Sequence, residues 1–334
     1  MDKYRAKVNF VKVKVLVTGC AGFIGSHLCE KLVELGYEVI GVDAFTNYYS
    51  PRIKQYNISS LLQCDKFRLI ELDLSQVSID ELMRIIGKVE YIIHEAAQPG
   101  VRASWGMNFD TYVKHNILAT QRLLEAIART GNVRRLVFAS SSSVYGNQPR
   151  VPLREDMYLR PFSPYGVTKL ASEALCITYY ENFNVPIVIL RYFTVYGPRQ
   201  RPDMAFHRFI RAMLRGRAIE IYGDGSQMRD FTYVEDVVEA TIRAMAYEDC
   251  VGEVINVGSS NPVKLIDVIK LLSDIMSIEP RIVFKEVQKG DVRVTYADIS
   301  KARKILSWSP KTSLRDGLKA QVEWMKKAME IGIL

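Results

Sequence analysis

Histidine is scarce, with four in 334 residues, and none falls in an H-x-x-x-H or H-E-x-x-H spacing. A catalytic metal held by a helical histidine pair is therefore not expected. Cysteine is sparse as well: Cys20, Cys29, Cys64, Cys176 and Cys250 are odd in number, scattered, and never spaced as C-x-x-C. That pattern argues against a disulfide scaffold or a zinc site and makes the cytoplasm the expected compartment. No apolar run is long enough to span a bilayer, so no membrane partner is expected. The opening MDKYRAKVNFVKVKVLVTG alternates apolar residues with lysines and lacks a signal-peptide layout. Its first ten or so residues are expected to be a short extension ahead of the fold. Internal repeats and low-complexity segments are missing too.

What is present suits an ordinary soluble globular chain, long enough for two lobes: 48% of residues are hydrophobic and 25% charged. The net charge of +8 forms no dense tract and accompanies no nucleic-acid-binding signature. A phosphate-bearing small molecule is the expected partner, not nucleic acid.

Short apolar runs alternate with amphipathic stretches through the first half. VKVLVTG, YEVIGVD, FRLIELD, VEYIIHEAA, RRLVFASS and VPIVILRY read as buried strands, and SHLCEKLVELG, SIDELMRII and NILATQRLLEAIARTG as helices between them. Strand alternating with helix predicts an α/β fold, a Rossmann-type doubly wound parallel sheet, with a smaller α/β C-terminal lobe. The expected division is residues 13–190 with 231–258 returning to them, and 191–230 with 259–330. FTVYGPRQRPDMA reads as loop.

The first strand runs into GCAGFIG, and a helix follows. Gly19 permits a tight turn, Gly22 a close approach of backbone to a pyrophosphate, and Gly25 close packing of helix on strand. The helix N-terminus offers free N–H groups to phosphate. The second strand ends at Asp43, placed to accept the ribose hydroxyls of NAD and to repel the extra phosphate of NADP. Asp73, at the end of the third strand, is a candidate to face the adenine.

In SPYGVTKLASEA, Tyr165 precedes Lys169 by four residues at the front of a helix, so the two share a face. An ammonium beside a phenol favours the phenolate. A Tyr at its ordinary pKa of about 10 is a poor base at neutral pH, and lowering it by about three units takes roughly 4 kcal/mol.

The G-x-x-G-x-x-G spacing, SSSSVYG (Ser140 to Gly146) and Tyr165-x-x-x-Lys169 together resemble the extended short-chain dehydrogenase/reductase family, and within it the nucleotide-sugar epimerases and dehydratases. HEAAQPGVRASW, RYFTVYGPRQRPD, GDGSQMRDFTYVEDV and GDVRVTYADISKARKILSWSP extend the match from about Val13 to the C-terminus. The resemblance implies tightly held NAD as cofactor, lined also by Phe23, Ile24, Leu74, Ala96, Ala97 and Tyr192. It implies Tyr165 as base, Lys169 on the nicotinamide ribose and lowering the phenol pKa, and Ser141 orienting the sugar hydroxyl. Ser140 reads as a capping hydroxyl. A homodimer through the Asn116 and Tyr165 helices is implied as well.

Dehydratases of the family carry an Asp and a Glu in the serine run to remove water; here that run has no carboxylate. FTVYGPRQRPDM, AAQPGVR and the serines look more like UDP-glucuronate 4-epimerases, with Ser142, Ser143 and Thr194 as donors to the C5 carboxylate. Arg229 matches the diphosphate arginine and Asp291 the nucleoside-ribose position of the family. Gln288 stands where some members have a second arginine; Arg201 and Arg199 are candidates to replace it. Action on UDP-glucose and UDP-galactose, decarboxylation of UDP-glucuronate, and NAD binding without turnover remain alternatives.

Overall fold

The computed structural model describes residues 13–334; the expected N-terminal extension lies outside the described residues. Seven parallel strands form the large sheet. They are β1 (Lys14–Thr18), β2 (Glu38–Asp43), β3 (Phe67–Glu71), β4 (Tyr91–His94), β5 (Arg135–Ser141), β6 (Ile187–Tyr192) and, much later in the chain, Val254–Val257. Their spatial order runs from Val254–Val257 through β6, β5, β4, β1 and β2 to β3. Helices cover both faces, so the strands are near-continuous apolar runs, as in Val15–Val17 and Leu136–Phe138, all within 1% exposure. The doubly wound sheet expected from the alternation is the one the chain forms.

The crossover helices are α1 (Phe23–Glu34), α2 (Pro51–Asn57), α3 (Ile79–Ile86), α4 (Phe109–Tyr112) leading into α5 (Ala119–Thr130), and α6 (Pro164–Phe183). A π-helical stretch over Val113–Leu118 joins α4 to α5. Ser78 caps α3 by accepting from the Glu81 N–H. Ser163 caps α6 in the same way, accepting from Gly166 N–H at 3.1 Å, with Pro164 in the first turn.

Beyond β6 the chain builds two small sheets. β7 (Thr194–Tyr196) pairs with β9 (Met228–Tyr233), and β8 (Ile219–Tyr222) with a strand at Ile282–Lys285. β7 lies within the stretch read as loop; three residues are too few to show alternation. Residue 231 falls inside β9, which belongs to the small sheet. The chain rejoins the large sheet through the helix Val234–Ala246 and the strand Val254–Val257. The helix Ala205–Leu214 and the C-terminal helix Leu314–Glu330 pack on each other against the small sheets.

Candidate functional site

A cleft opens at the C-terminal ends of the large sheet's strands, beside the neighbouring pair β1 and β4 at which the strand order reverses. That is the crevice in which open α/β sheets bind ligands. Gly19, Gly22, Phe23, Ile24 and Gly25 form one wall. Asp43, Asp73, Leu74, Ala96, Ala97, Tyr165, Lys169 and Tyr192 also line it. Every residue expected at the cofactor therefore faces one cleft.

The glycine turn leaves no room for side chains. Gly19 has φ +70°, and a Cβ there would lie 2.8 Å from the Ala96 nitrogen. A Cβ on Gly25 would fall 2.1 Å from the Gly19 carbonyl oxygen. The Asp43 carboxylate fixes the same turn, accepting from Ala21 N–H at 3.1 Å and Phe45 N–H at 2.8 Å. This backbone cradle, with a carboxylate at the end of β2, fits a dinucleotide. Asp73 holds its own loop, accepting from Ser75 N–H at 2.8 Å and from Gln76 at 2.7 Å.

Ser141, Ser142, Ser143, Thr194 and Arg201 line the cleft beside Tyr165. The serines follow the end of β5 in a tight turn, with Ser143 N–H donating to Ser141 Oγ at 3.1 Å. Ser140 also borders the cleft, but it is buried and its hydroxyl donates to the Glu173 carboxylate; the capping hydroxyl of the turn is that of Ser141. Arg201 is held by Asp203 at 3.1 and 3.2 Å. Asn116 sits in the π-helical stretch, where it accepts from Gln98 N–H at 2.6 Å and donates to Gln98 O and Thr168. It thereby fixes the loop after β4. His94 is bonded at both ring nitrogens, to Thr18 and Thr120, and burial pushes its pKa down to about 3.

The groups that act on the Tyr165 phenol in this structure differ from the expected Lys169. Burial raises the Tyr165 pKa; a hydrogen bond with Ser141 and the Arg201 charge pull it back, while Glu95 pushes it up. Lys169 lines the cleft but is tied to the end of β5. Its ammonium donates to the Ala139 carbonyl and lies 4.8 Å from the Phe138 ring centre. Burial there takes its own pKa down to about 8. The i, i+4 spacing puts both side chains on one helix face, but the sheet carbonyl claims the ammonium.

Sequence reasoning passed over Glu95, which also lines the cleft. It accepts from Tyr192 Oη at 2.8 Å, and burial raises its pKa to about 7. Lys54 was missed too: it is buried 3.9 Å from Asp43. Glu95 lies in VEYIIHEAA, which reads as a strand, and Lys54 in a stretch that reads as no particular element; only the assembled fold brings them to the cleft.

A second cavity lies in the smaller lobe. Arg229 and Asp291 line it, together with Arg293, Lys289, Tyr222 and Trp105. Arg229 and Asp291 are thus brought together, apart from Tyr165. Arg199 is not among these residues; it clamps Glu30 on α1 at 2.8 and 2.7 Å. Among the described residues no group of three or more His, Cys, Asp or Glu side chains is placed to hold a metal, and no helix is long and apolar enough to cross a membrane.

The sequence profile of the family described as GDP-mannose 4,6 dehydratase matches residues 16–321. The chain is 45% identical over 94% of its length, and 98% of the relative's, to an uncharacterised UDP-glucose epimerase of Bacillus subtilis. It is 39% identical over 95% of its length, and 97% of the relative's, to the UDP-glucuronate 4-epimerase of Thermodesulfobacterium geofontis. The crystal structure of UDP-glucuronic acid 4-epimerase from Bacillus cereus, in complex with UDP-glucuronic acid and NAD, superposes with a TM-score of 0.91. That match has 44% identity and covers 94% of this chain and 99% of the other. The chain belongs to the GDP-mannose 4,6-dehydratase family, within the extended short-chain dehydrogenases/reductases.

Proposed function

We propose that this chain is an NAD-dependent isomerase that inverts C4 of a UDP-sugar, with UDP-glucuronate converted to UDP-galacturonate as the first-choice reaction. One observation carries this reading: Tyr165 and a run of hydroxyls, Ser141, Ser142, Ser143 and Thr194, face the same cleft as the glycine cradle. The family's descriptive name is that of a dehydratase, but the serine run offers no acid and base to remove water.

When bound, NAD would supply the acceptor and then the donor of the hydride exchanged at C4. Tyr165 takes the proton from the C4 hydroxyl and later gives it back. Ser141 orients that hydroxyl and, through its hydrogen bond, favours the phenolate. Lys169, which lines the cleft and is anchored on Ala139, would hold the nicotinamide ribose. Ser142, Ser143 and Thr194 donate to the uronate carboxylate. Arg201 adds positive charge, but its fork is occupied by Asp203. A carboxylate held by hydroxyls alone leaves the 4-keto sugar free to turn its other face before reduction.

Residues 13–190 with the return through Val254–Val257 form the dinucleotide lobe in this reading, and the remainder, with Arg229 and Asp291, the nucleotide-sugar lobe. Val167, Ile177, Tyr180 and Phe183 are exposed on α6, which supports pairing of two copies along that helix. All five cysteines are free and four are buried, in keeping with a cytoplasmic setting.

The similarity to the Bacillus subtilis relative favours a second reading, epimerisation of neutral UDP-glucose and UDP-galactose. Incubation with each UDP-sugar followed by separation of products decides. UDP-galacturonate from UDP-glucuronate is expected. Conversion of UDP-glucose alone supports the second reading, and UDP-pentose with CO2 would mean decarboxylation.

A further inference from the structure

Glu95 follows β4 directly and lines the cleft with Tyr165 and Lys169, both of which feel its charge. Its main chain is pressed against the glycine turn: a Cβ on Gly19 would lie 3.0 Å from the Glu95 carbonyl carbon. Oε1 accepts from Tyr192 Oη at 2.8 Å, and Oε2 has no hydrogen-bond partner among the described residues. Lys169 acts on Glu95 through space, but its ammonium is spent on the Ala139 carbonyl and forms no ion pair with it. A half-buried carboxylate is thus left without a cation, an arrangement that costs stability unless a positive group arrives.

The carboxylate is also fixed in place. Tyr192 Oη meets Thr241 Oγ1 at 2.7 Å, and Thr241 donates to the Val237 carbonyl at 2.8 Å. Thr241 and Val237 belong to the helix Val234–Ala246, so the row of hydroxyls ties Glu95 to the packed interior. In the NAD reading the adenosine lies by Asp43 and Asp73 and the pyrophosphate at the glycine turn, which leaves the nicotinamide the end of the cleft where Tyr165 and Lys169 stand. These two reach it from α6, and Glu95 and Tyr192 from the ends of β4 and β6.

We propose that Glu95 is the counter-ion of the oxidised nicotinamide ring and sets the balance between the oxidised and reduced forms of the bound cofactor. The ring is cationic when oxidised and neutral when reduced, so a fixed carboxylate favours the oxidised form. The Lys169 ammonium in the same cleft favours the reduced form, and Glu95 offsets it. A site that must take a hydride and give it back needs the two forms close in free energy. Glu95 acts through its charge alone and moves no proton. Tyr192 holds it in position.

This inference rests on the NAD reading, and its test reads the charge of the bound cofactor, not turnover. Purified protein and its Glu95→Gln and Glu95→Asp variants are equilibrated at pH 8 with an excess of oxidised NAD and NADH in equal amounts. Unbound dinucleotide is removed, and the two bound forms are extracted and quantified. Glu95→Gln keeps an acceptor for Tyr192 and removes the charge. Its ratio of bound oxidised NAD to bound NADH is expected to fall by about tenfold, equivalent to a bound couple about 30 mV more positive. Glu95→Asp, which keeps the charge, should fall by less. The ratio is read on the loaded fraction alone, so partial unfolding of a variant leaves it unchanged. A ratio in Glu95→Gln equal to or above that of the unmodified protein would overturn the proposal, leaving Glu95 only a strut for Tyr192. An equal fall in both variants would overturn it too, because charge would then not be the cause. Unmodified protein that retains neither dinucleotide would instead refute the NAD reading.

Discussion

Tyr192 donates to Glu95 at 2.8 Å within the cleft and meets Thr241 Oγ1 at 2.7 Å, so a half-buried carboxylate is wired to the interior. Burial raises the Glu95 pKa to about 7, opposed by the Tyr192 bond and by Lys169. A carboxylate whose folded pKa lies above its unfolded value of about 4.3 binds its proton more tightly when folded. Its ionisation therefore erodes stability as pH rises from about 4.3 to 7.

Glu95→Gln should remove that erosion. The expected result is a variant matching the unmodified protein near pH 4.5 and exceeding it above pH 7, by on the order of 2 kcal/mol. Urea unfolding at intervals between pH 4.5 and pH 8 measures it. Parallel pH profiles for the two proteins would contradict the assignment.

Arg191 and Glu173 form a buried ion pair at 2.7 Å under the serine run. Glu173 also accepts from Ser140, and Arg191 donates to Tyr145 Oη at 3.0 Å. Removing one partner strands the other, so Glu173→Ala should cost about 3–5 kcal/mol of unfolding free energy. Replacing the pair together with apolar residues should cost less than either single change. A denaturant series on the three variants checks the order.

Gly25→Ala puts a methyl 2.1 Å from the Gly19 carbonyl oxygen, so α1 must shift away from the turn. Purified variant is expected to carry far less NAD than the unmodified protein, as read by extraction and quantitation of the dinucleotide. Equal NAD content would show that the turn does not form the cradle.

Much of this was legible in the sequence because its cause is local. Buried parallel strands such as IVILRY advertise themselves as apolar runs, and the glycines of GCAGFIG are dictated by a turn that admits no side chain. What escaped was decided between distant segments. Glu95 follows directly after β4, yet only Tyr192, 97 residues on, shows that it is held in the cleft. Arg102 ends the AAQPGVR match, but its partner is set only when Asp291, 189 residues away, is folded against it. Lys169 was placed on the correct helix face, but the carbonyl of Ala139 on β5 was not foreseeable from helix spacing. The strand Thr194–Tyr196 is too short for any periodicity.

The central claim is that C4 of a UDP-uronate is oxidised and reduced within one site, with Tyr165 moving the proton. UDP-glucuronate carrying deuterium at C4 tests it directly. The account predicts UDP-galacturonate that keeps the label at C4, and a Tyr165→Phe variant slower by about two to four orders of magnitude while still retaining NAD. Label lost to solvent, or a Tyr165→Phe variant that converts substrate at the unmodified rate, would contradict it.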